Sequence, residues 1–357
     1  MKRIIIVLWV CLLSLSMWAQ HTQYDTKSND NSRKYQVFSV AFYNVENLFD
    51  PDDDPNTIDE EFTPKGANAW TEDKYRKKLS NLATVISQLD RYKKGDFAGP
   101  SVLGMAEIEN RRVIEDLINT EPLKRGNYKI VHQDSPDRRG VDVALIYNPN
   151  EFELKSYKAL PYNKPDMPNY KTRDVLLVNG LMAGEDVYIL VNHWPSRYGD
   201  KSSALREFAA AICKKAVDSL YALNSNAKII IMGDLNDDPT DKSTRVVLDA
   251  KKEQKDVKPY GLFNTMWGYY EKGIGTLCYQ NQWSLFDQII ISYPLLGKST
   301  IDEGNRTLKF YRSEIFNREF LCEKAGRYKG YPLRTFASNM FVNGYSDHFP
   351  VVLYLIK

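Results

Sequence analysis

The chain has 357 residues, of which 43 % are hydrophobic and 12 % aromatic, a composition that supports a large core and excludes global disorder. Its length suits one large domain or two ordinary ones. The formal net charge of +2 falls to zero without the first nineteen residues, so bulk charge gives no argument for binding nucleic acid or membranes.

Residues 1–19 have the layout of a signal peptide. Two basic residues precede an apolar run of about twelve residues, and Ala19 provides a small residue at the expected cleavage point. The run is short for a membrane-spanning helix, which needs roughly 20 apolar residues. We therefore expect export to the periplasm or beyond without stable membrane insertion. A flexible polar leader is expected at residues 20–35 and a single domain at residues 36–357.

From residue 35 onward, strand and helix patterns alternate. Runs rich in β-branched and aromatic residues predict strands, and apolar residues at helical spacing predict helices, the first with Thr71 as its N-cap. In chain order the predicted elements are a strand at 35–45, a helix at 71–90, a strand at 101–108, a helix at 111–118, strands at 141–149, 173–180 and 186–194, a helix at 202–223, and strands at 227–236, 286–292 and 350–357.

The predicted strands outnumber the predicted helices, and several are apolar on both faces. Such strands suit sheets that are covered by other layers, not an open barrel surface. No repeat or low-complexity boundary divides residues 37–357, which favours one domain. The longest predicted helix offers one apolar face to such a sheet, formed by Leu205, Phe208, Ile212, Ala216 and Leu220.

Three cysteines remain after the signal peptide, at positions 213, 278 and 322. The count is odd, the spacing is wide, and no CxxC pair occurs. Neither a disulfide framework nor a thiolate zinc site is indicated, so we expect these cysteines to be small apolar core residues.

Several predicted strands begin or end with carboxylates, amides or a histidine. Taken singly, an Asp or Asn at a strand end is usually turn chemistry, and a histidine there is usually a hydrogen-bonded structural residue. Glu107 is different, because it follows an apolar run and should be partly buried, where a carboxylate needs a partner or a metal. Together, such residues would form an oxygen-rich cleft that suits Mg²⁺, Mn²⁺ or Ca²⁺ better than zinc. They are Asn44, Glu46, Glu107, Glu109, Asn192, His193, Asp234, Asn236, Asp237, Asp238, Asp287, Asp347 and His348.

These motifs, in this order, resemble the endonuclease/exonuclease/phosphatase family, also called the deoxyribonuclease I-like superfamily. GDLND followed much later by SDHFPV is the most specific pair, and FYNVEN, MAEIEN and NHW strengthen the resemblance. FYNVENLFD and NHWPSR are most similar to secreted bacterial members described as nucleases. The resemblance covers about residues 37–357. It implies a four-layer α/β/β/α sandwich of two packed, mainly antiparallel or mixed sheets flanked by helices, with the active site at one end of the sheets.

The resemblance also implies a metal site. By motif, Glu107 is the principal metal ligand and Asp347 is a second carboxylate at the metal. Asn44 supports the metal and the scissile phosphate, and Glu46 joins the metal shell where that position is acidic. The implied ion is Mg²⁺, with Mn²⁺ or Ca²⁺ as alternatives.

The same resemblance implies the catalytic residues. Asp234 orients or deprotonates the attacking water, and Asn236 holds the phosphate or the transition state. His348 binds a phosphate oxygen as an imidazolium, with its ring oriented by Asp287. His193 matches a second histidine of the nuclease branch, which contacts the phosphate or the leaving group.

Three further residues are weaker candidates for the substrate site. Asp142 either orients His193 or forms an ion pair with one of the arginines just before it. Arg173 and Arg197 either contact phosphate or are solvated surface residues. The aromatic run at residues 265–270 either stacks bases or packs in the protein.

The leading hypothesis is an exported, metal-dependent phosphodiesterase acting on DNA or RNA, with no protein partner implied. A phosphatase or phospholipase C-type hydrolase on a phosphorylated small molecule, inositol or lipid headgroup is the alternative. The inositol branch usually has an aromatic and a basic residue where this chain has Asp237 and Asp238. A non-catalytic binding module on the same fold is disfavoured, because the expected ligands and the base are all present.

Overall fold

The computed structural model describes four stretches of the chain. The predicted signal peptide and the predicted leader lie outside the described residues, except for Tyr35 at the end of the leader. The compact domain is Val37–Lys357. The described stretches are residues 35–95, 97–197, 203–298 and 307–357.

Strands dominate the described part of the domain, as the sequence predicts, and four α-helices accompany them there. The helices are α1 (Glu72–Ile86), α2 (Arg111–Ile118), α3 (Ser203–Leu223) and α4 (Trp267–Tyr270). In chain order the strands are β1 (Val37–Leu48), β2 (Val102–Ile108), β3 (Lys129–His132), β4 (Asp142–Tyr147), β5 (Phe152–Leu160), β6 (Val175–Met182), β7 (Glu185–His193), β8 (Lys228–Asp234), β9 (Ala250–Lys251), β10 (Leu262–Asn264), β11 (Leu277–Tyr279), β12 (Gln282–Ser284), β13 (Asp287–Ser292), β14 (Lys309–Ile315), β15 (Phe336–Ala337), β16 (Met340–Phe341) and β17 (Val351–Ile356).

Two large mixed sheets form the centre of the domain. The first has the strand order β14-β17-β1-β2-β4-β3, and the second has the order β5-β6-β7-β8-β13-β10-β9. The sheets face each other, since β1 contacts β8 and β13 while β2 contacts β7 and β8. Gly104 of β2 allows this close approach, because a Cβ there would lie 2.5 Å from Met232 Cε of the opposite sheet. β11 with β12 and β15 with β16 form two separate hairpins.

The helices cover the outer sides of the two sheets. Tyr75, Leu79 and Leu82 of α1 are buried in the core cluster that includes the first sheet, and α2 contacts β2 and β3. The buried side of α3 belongs to a second cluster with residues of β7 and β8. The predicted α/β/β/α sandwich with mixed sheets is therefore confirmed. Within the described residues, no helix has the length and apolar character that crossing a bilayer requires.

Some local predictions differ from the structure. Thr71 occupies the N-cap position of α1, but its side chain makes no capping hydrogen bond. Cys213 is buried as expected, whereas Cys278 and Cys322 are only partly buried, and all three are free. Three predicted core residues of α3 are only partly buried, namely Phe208, Ile212 and Ala216. The buried face of α3 instead runs through Leu205, Ala209, Cys213, Val217 and Leu220.

Candidate active site

The strand pairing brings three of the predicted site residues into one row. β7 runs parallel to β8 with His193 opposite Asp234, and β13 runs antiparallel to β8 with Asp287 opposite Asp234. The facing sheet contributes Asn44, whose Nδ2 donates a 3.0 Å hydrogen bond to Asp234 Oδ2. His348 lies just before β17, which pairs with β1. The same end of both sheets thus carries the polar cluster.

Left-handed backbone geometry occurs at three of the site residues. Glu46, Glu107 and Asn236 have φ values of 52°, 63° and 49°. Non-glycine residues rarely adopt this conformation, and it costs of order 1 kcal/mol or more. At Glu107 it coincides with an irregularity in the β2–β4 pairing between Ala106 and Ile108. A bulge of this kind redirects a side chain that would otherwise follow the strand alternation.

Asp234 is almost fully buried and held from two sides. Its Oδ1 accepts a 3.0 Å hydrogen bond from the backbone N–H of Asn236, and its Oδ2 accepts the bond from Asn44. Burial raises the pKa of Asp234 to about 6, although His348 works in the opposite direction. A carboxylate with this pKa accepts a proton near neutral pH more readily than an ordinary aspartate. Asn236 Nδ2 donates to the carbonyl oxygen of Trp194 at 2.9 Å.

His348 and Asp287 form the expected pair, with Nδ1 of the ring 2.6 Å from Asp287 Oδ2. Burial alone would lower the pKa of His348, but the carboxylates of Asp287 and Asp234 outweigh it and raise the pKa well above its usual value. His348 is therefore an imidazolium at neutral pH, with Nε2 lying 3.9 Å from Asp234 Oδ2. The ligand atoms of the three residues lie within 4.8 Å of one another, but Asp287 occupies Nδ1, so we assign them to phosphate and proton chemistry.

His193 is buried on the other side of Asp234. Its Nε2 lies 3.8 Å from Asp234 Oδ2 and 3.9 Å from Glu107 Oε1. Burial and the positive charges of Arg173 and Arg139 lower the pKa of His193 well below its usual value. His193 is therefore uncharged at neutral pH, and it differs in charge from His348.

The polar cluster lies at the bottom of a cleft of about 450 Å³. Glu107, His193, Asp234 and His348 line it together with Asn236. Its opposite wall carries residues that the sequence did not single out for the site: Arg138, Arg139, Asn169, Tyr170, Lys171 and Thr172.

Asp142 has different partners from those of either expected alternative, His193 or a preceding arginine. Asp142 Oδ2 lies 3.0 Å from Nε2 of His132, and its Oδ1 accepts a 2.8 Å hydrogen bond from the backbone N–H of Ser135. Asp142 thus orients His132, for which the sequence showed no supporting context. His193 Nδ1 has no hydrogen-bond partner among the described residues.

Arg173 and Arg197 support loops around the site. Arg173 is buried and donates to the carbonyl oxygens of His193 and Trp194, at 3.1 and 2.8 Å, and to Asp137 at 2.8 Å. Arg197 Nε donates to the carbonyl oxygen of Asn236 at 2.9 Å, and its Nη2 contacts the carboxylates that follow. Both guanidinium groups have protein partners, which indicates a positioning role, and Arg173 also lines the cleft, so the phosphate contact stays a prediction.

The aromatic run at residues 265–270 packs against the protein. Met266 and Trp267 are buried, and the hydroxyl of Tyr269 donates a 2.6 Å hydrogen bond to the carbonyl oxygen of Ser313. The packing alternative therefore holds for this run.

Two of the predicted metal ligands, Glu107 and Asp347, each have one carboxylate oxygen that accepts a hydrogen bond. Glu107 Oε2 accepts a 2.8 Å hydrogen bond from the backbone N–H of Asn47, and Asp347 Oδ2 accepts one from Arg334 at the same distance. The second oxygen of each carboxylate accepts no hydrogen bond among the described residues. Two carboxylates with one free oxygen each suit Mg²⁺, which binds one or two carboxylates and leaves its other positions to water and phosphate.

Glu46 fits the metal role less well, because both of its oxygens already have partners. Thr335 N–H donates to Oε2 at 2.7 Å and Arg334 Nε donates to Oε1 at 3.3 Å. The ammonium group of Lys78 lies 3.8 Å from Oε2. Burial and the nearby Asp347 raise the pKa of Glu46 to about 7, against the effect of the two cations.

Solved structures of the same architecture support the fold. An endonuclease/exonuclease/phosphatase family protein from Bacteroides thetaiotaomicron is 16 % identical, with a TM-score of 0.53 over 90 % of this chain and 98 % of that chain. A mannosyl-6-phosphatase from the same organism is 17 % identical, with a TM-score of 0.53 over 90 % of this chain and 100 % of that chain. TDP2 from D. rerio, complexed with a single-strand DNA product, is 13 % identical, with a TM-score of 0.51 over 89 % of this chain and 98 % of that chain.

No curated protein sequence is a detectable relative of this chain. The sequence model of the endonuclease/exonuclease/phosphatase family, in contrast, matches residues 39–357. That range contains both sheets, apart from the first two residues of β1, and every residue of the polar cluster described above. The chain therefore belongs to the endonuclease/exonuclease/phosphatase family.

Proposed function

We propose that the chain is an exported, divalent-metal-dependent phosphodiesterase that hydrolyses DNA or RNA. The polar cluster carries this proposal, because the row across β7, β8 and β13 sets the buried Asp234 beside the uncharged His193, and the imidazolium of His348 lies near the same Asp234 carboxylate. Asp234 Oδ2 stands 3.8 Å from His193 Nε2 and 3.9 Å from His348 Nε2. This arrangement offers a base and a cation to the same phosphate. Export is inferred from residues 1–19 alone.

In the proposed reaction, Asp234 accepts the proton of the attacking water. Its hydrogen bonds from Asn44 and from the Asn236 backbone fix the carboxylate in place, and its pKa of about 6 suits a base that works near neutral pH.

His348 supplies positive charge where negative charge develops on the phosphate. Asp287 takes up Nδ1, so the proton on Nε2 points away from that carboxylate and towards the cleft. An imidazolium held in advance in a buried site stabilises an anionic transition state without reorganisation. His193, which is uncharged, offers a hydrogen bond at Nε2 beside the carboxylate of Asp234.

Glu107 and Asp347 are the residues that would hold the divalent ion. Bound there, the ion supplies Lewis-acid stabilisation of a phosphoryl oxygen. The 2.8 Å bonds from Asn47 N–H and from Arg334 fix the orientation of the two carboxylates. The second oxygen of each accepts no hydrogen bond among the described residues, although Arg139 Nη2 and His193 Nε2 both lie 3.9 Å from Glu107 Oε1.

Exposed cations on the wall of the cleft favour a polyanionic substrate. Arg138, Arg139 and Lys171 are exposed and line the cleft. Cations in such positions bind the phosphates that flank a scissile bond. The fold alone does not choose a substrate, because the neighbouring structures include both a protein with a DNA product and a mannosyl-6-phosphatase.

We expect the purified chain to cleave plasmid DNA or RNA and bis-p-nitrophenyl phosphate in the presence of Mg²⁺, Mn²⁺ or Ca²⁺. A chelator should reduce each rate to background, and p-nitrophenyl phosphate should be a poor substrate. Gel electrophoresis and release of p-nitrophenol measure the two kinds of cleavage. Cleavage of the monoester alone would replace the nuclease proposal with the phosphatase alternative.

We expect the activity to rise with pH through about 6 and then to level off. Asp234 works as a base only when it is deprotonated, so activity is lost as the pH falls through its pKa of about 6. His348 stays protonated across the neutral range because its pKa is raised well above the usual value. The pH profile of kcat/KM measures the acid limb. A limb near pH 4, where an unperturbed aspartate titrates, would contradict the assignment of Asp234 as the base.

A further inference from the structure

An arginine bridges two of the carboxylates that the motifs assign to the metal. Arg334 Nη2 donates to Asp347 Oδ2 at 2.8 Å, and Arg334 Nε donates to Glu46 Oε1 at 3.3 Å. The backbone N–H of the next residue, Thr335, donates to Glu46 Oε2 at 2.7 Å. Arg334 and Thr335 therefore occupy both carboxylate oxygens of Glu46 and one carboxylate oxygen of Asp347.

A second fixed cation lies behind this pair. Lys78 is completely buried, and its ammonium group lies 3.8 Å from Glu46 Oε2. It also donates to the hydroxyl of Thr335 and, at 2.8 Å, to the carbonyl oxygen of Tyr345. Glu46 thus has two protein cations beside it before any metal ion is considered.

The backbone around Arg334 is built to keep the guanidinium at this place. On one side Leu333 N–H donates to the carbonyl oxygen of Leu321, and Tyr345 N–H donates to the carbonyl oxygen of Leu333, both at 2.7 Å. Gly344 passes so close that a Cβ there would lie 2.1 Å from the carbonyl oxygen of Arg334. Glycine is required at this approach.

We infer that Arg334 takes the place of a second divalent ion. It places a permanent positive charge beside Glu46 and Asp347, so the site holds one divalent ion and not two. Guanidinium is suited to this role, because it does not deprotonate and it matches carboxylates geometrically. This inference rests on the proposed metal-dependent function and deepens it. Arg334 is a positioning residue for Asp347.

The inference predicts one bound ion per wild-type chain and two in Arg334→Gln. Loss of the guanidinium frees Oε1 of Glu46 and one oxygen of Asp347 and makes the site more negative, so the first ion should also bind at least about tenfold more tightly. Titration of Mn²⁺ into the metal-free, full-length protein, followed by calorimetry and by electron paramagnetic resonance, measures stoichiometry and affinity without any substrate. Coupled Mn²⁺ ions have a distinct resonance signal.

Two control variants separate charge from damage to the fold. Arg334→Lys keeps a cation and should still bind one ion. Arg327→Gln removes an exposed arginine that lies seven residues earlier in the chain and forms no ion pair among the described residues. This variant should leave the number of bound ions and their affinity unchanged. If Arg334→Gln does not fold, the wild-type count still decides.

Two ions in the wild-type protein, or an unchanged count and affinity in folded Arg334→Gln, would overturn the inference and leave the proposed hydrolysis intact. A wild-type protein that binds no Mn²⁺ would overturn both. A single ion together with a failed nuclease assay would support the inference and move the function towards the phosphatase alternative.

Discussion

Asp234→Asn is expected to abolish phosphodiester cleavage without weakening the fold. The asparagine keeps the shape, but its single side-chain oxygen can accept only one of the two hydrogen bonds, from Asn44 or from the Asn236 N–H, and it cannot take a proton from water. Loss of a general base lowers rates by roughly 10²–10⁴-fold. Initial rates on bis-p-nitrophenyl phosphate and on DNA, measured near pH 8, provide the test.

The same variant should unfold at a temperature at least as high as that of the wild-type protein. The pKa of Asp234 is raised to about 6 in the folded state, above its ordinary value. The stabilising effect of such a group is present below the unfolded pKa and is lost as the pH rises through the folded pKa, so near pH 8 the buried charge destabilises the protein. A neutral side chain removes that cost, which we expect to exceed the roughly 1 kcal/mol of the one hydrogen bond that the amide loses. Activity and stability should therefore move in opposite directions.

Asp186→Asn is the matched control. Asp186 is an exposed aspartate of β7 that pairs with Lys155 at 2.8 Å, away from the cleft. The cleavage rate of Asp186→Asn should equal that of the wild-type protein. Wild-type rates in folded Asp234→Asn would exclude Asp234 as the base, and a non-catalytic binding module would then be the better description.

Long buried strands are the elements that the sequence predicts best. β1, β2, β8 and β17 carry unbroken apolar runs, and each lies close to its predicted range. β9 and the hairpin strands β11, β12, β15 and β16 have only two or three residues, too few for any periodicity to show. β5 escaped prediction for another reason, since most of its residues are exposed or only partly buried.

The face of α3 shows where periodicity misleads. The prediction followed the large side chains of Phe208 and Ile212, whereas the structure buries the smaller Ala209 and Cys213. Adjacent positions differ by about 100° around a helix, so both sets form a stripe of the right spacing. Small residues on the inner face let a helix approach a sheet closely, and size alone does not reveal that preference.

Motifs identify the site residues, but they do not identify the partners of each residue. The pairing of His348 with Asp287 was predicted and is present. The pairing of Asp142 with His132 was missed, although β3 and β4 are adjacent antiparallel strands and a hairpin would have brought the two together.

The two cations beside Glu46, Lys78 and Arg334, were also not predicted from the sequence, for two different reasons. Lys78 did give a signal, because it lies three residues after Tyr75 and four before Leu82, on the buried face of α1. A lysine at such a position must have a partner inside the protein. Arg334 gave no such signal in the sequence, since the segment around it has no periodic pattern and its position depends on contacts with residues distant in the sequence.

Asp287→Asn is expected to cost roughly 10²–10³-fold in rate and to change the pH dependence. Asp287 is fully buried, and its carboxylate is the main group that raises the pKa of His348 against the effect of burial. Without that charge the pKa of His348 should fall, because only the carboxylates of Asp234 and Asp347 then oppose the effect of burial, so the imidazolium is lost at a lower pH than in the wild-type protein. Asp234 meanwhile needs a pH above about 6 to act as a base. The two required states then overlap over a narrower pH range than in the wild-type protein, and acid should not rescue the variant. Profiles of kcat/KM from about pH 5 to 9, with thermal unfolding as the check on the fold, test this. A profile of wild-type shape at a uniformly lower rate would show instead that Asp287 only holds the ring in place.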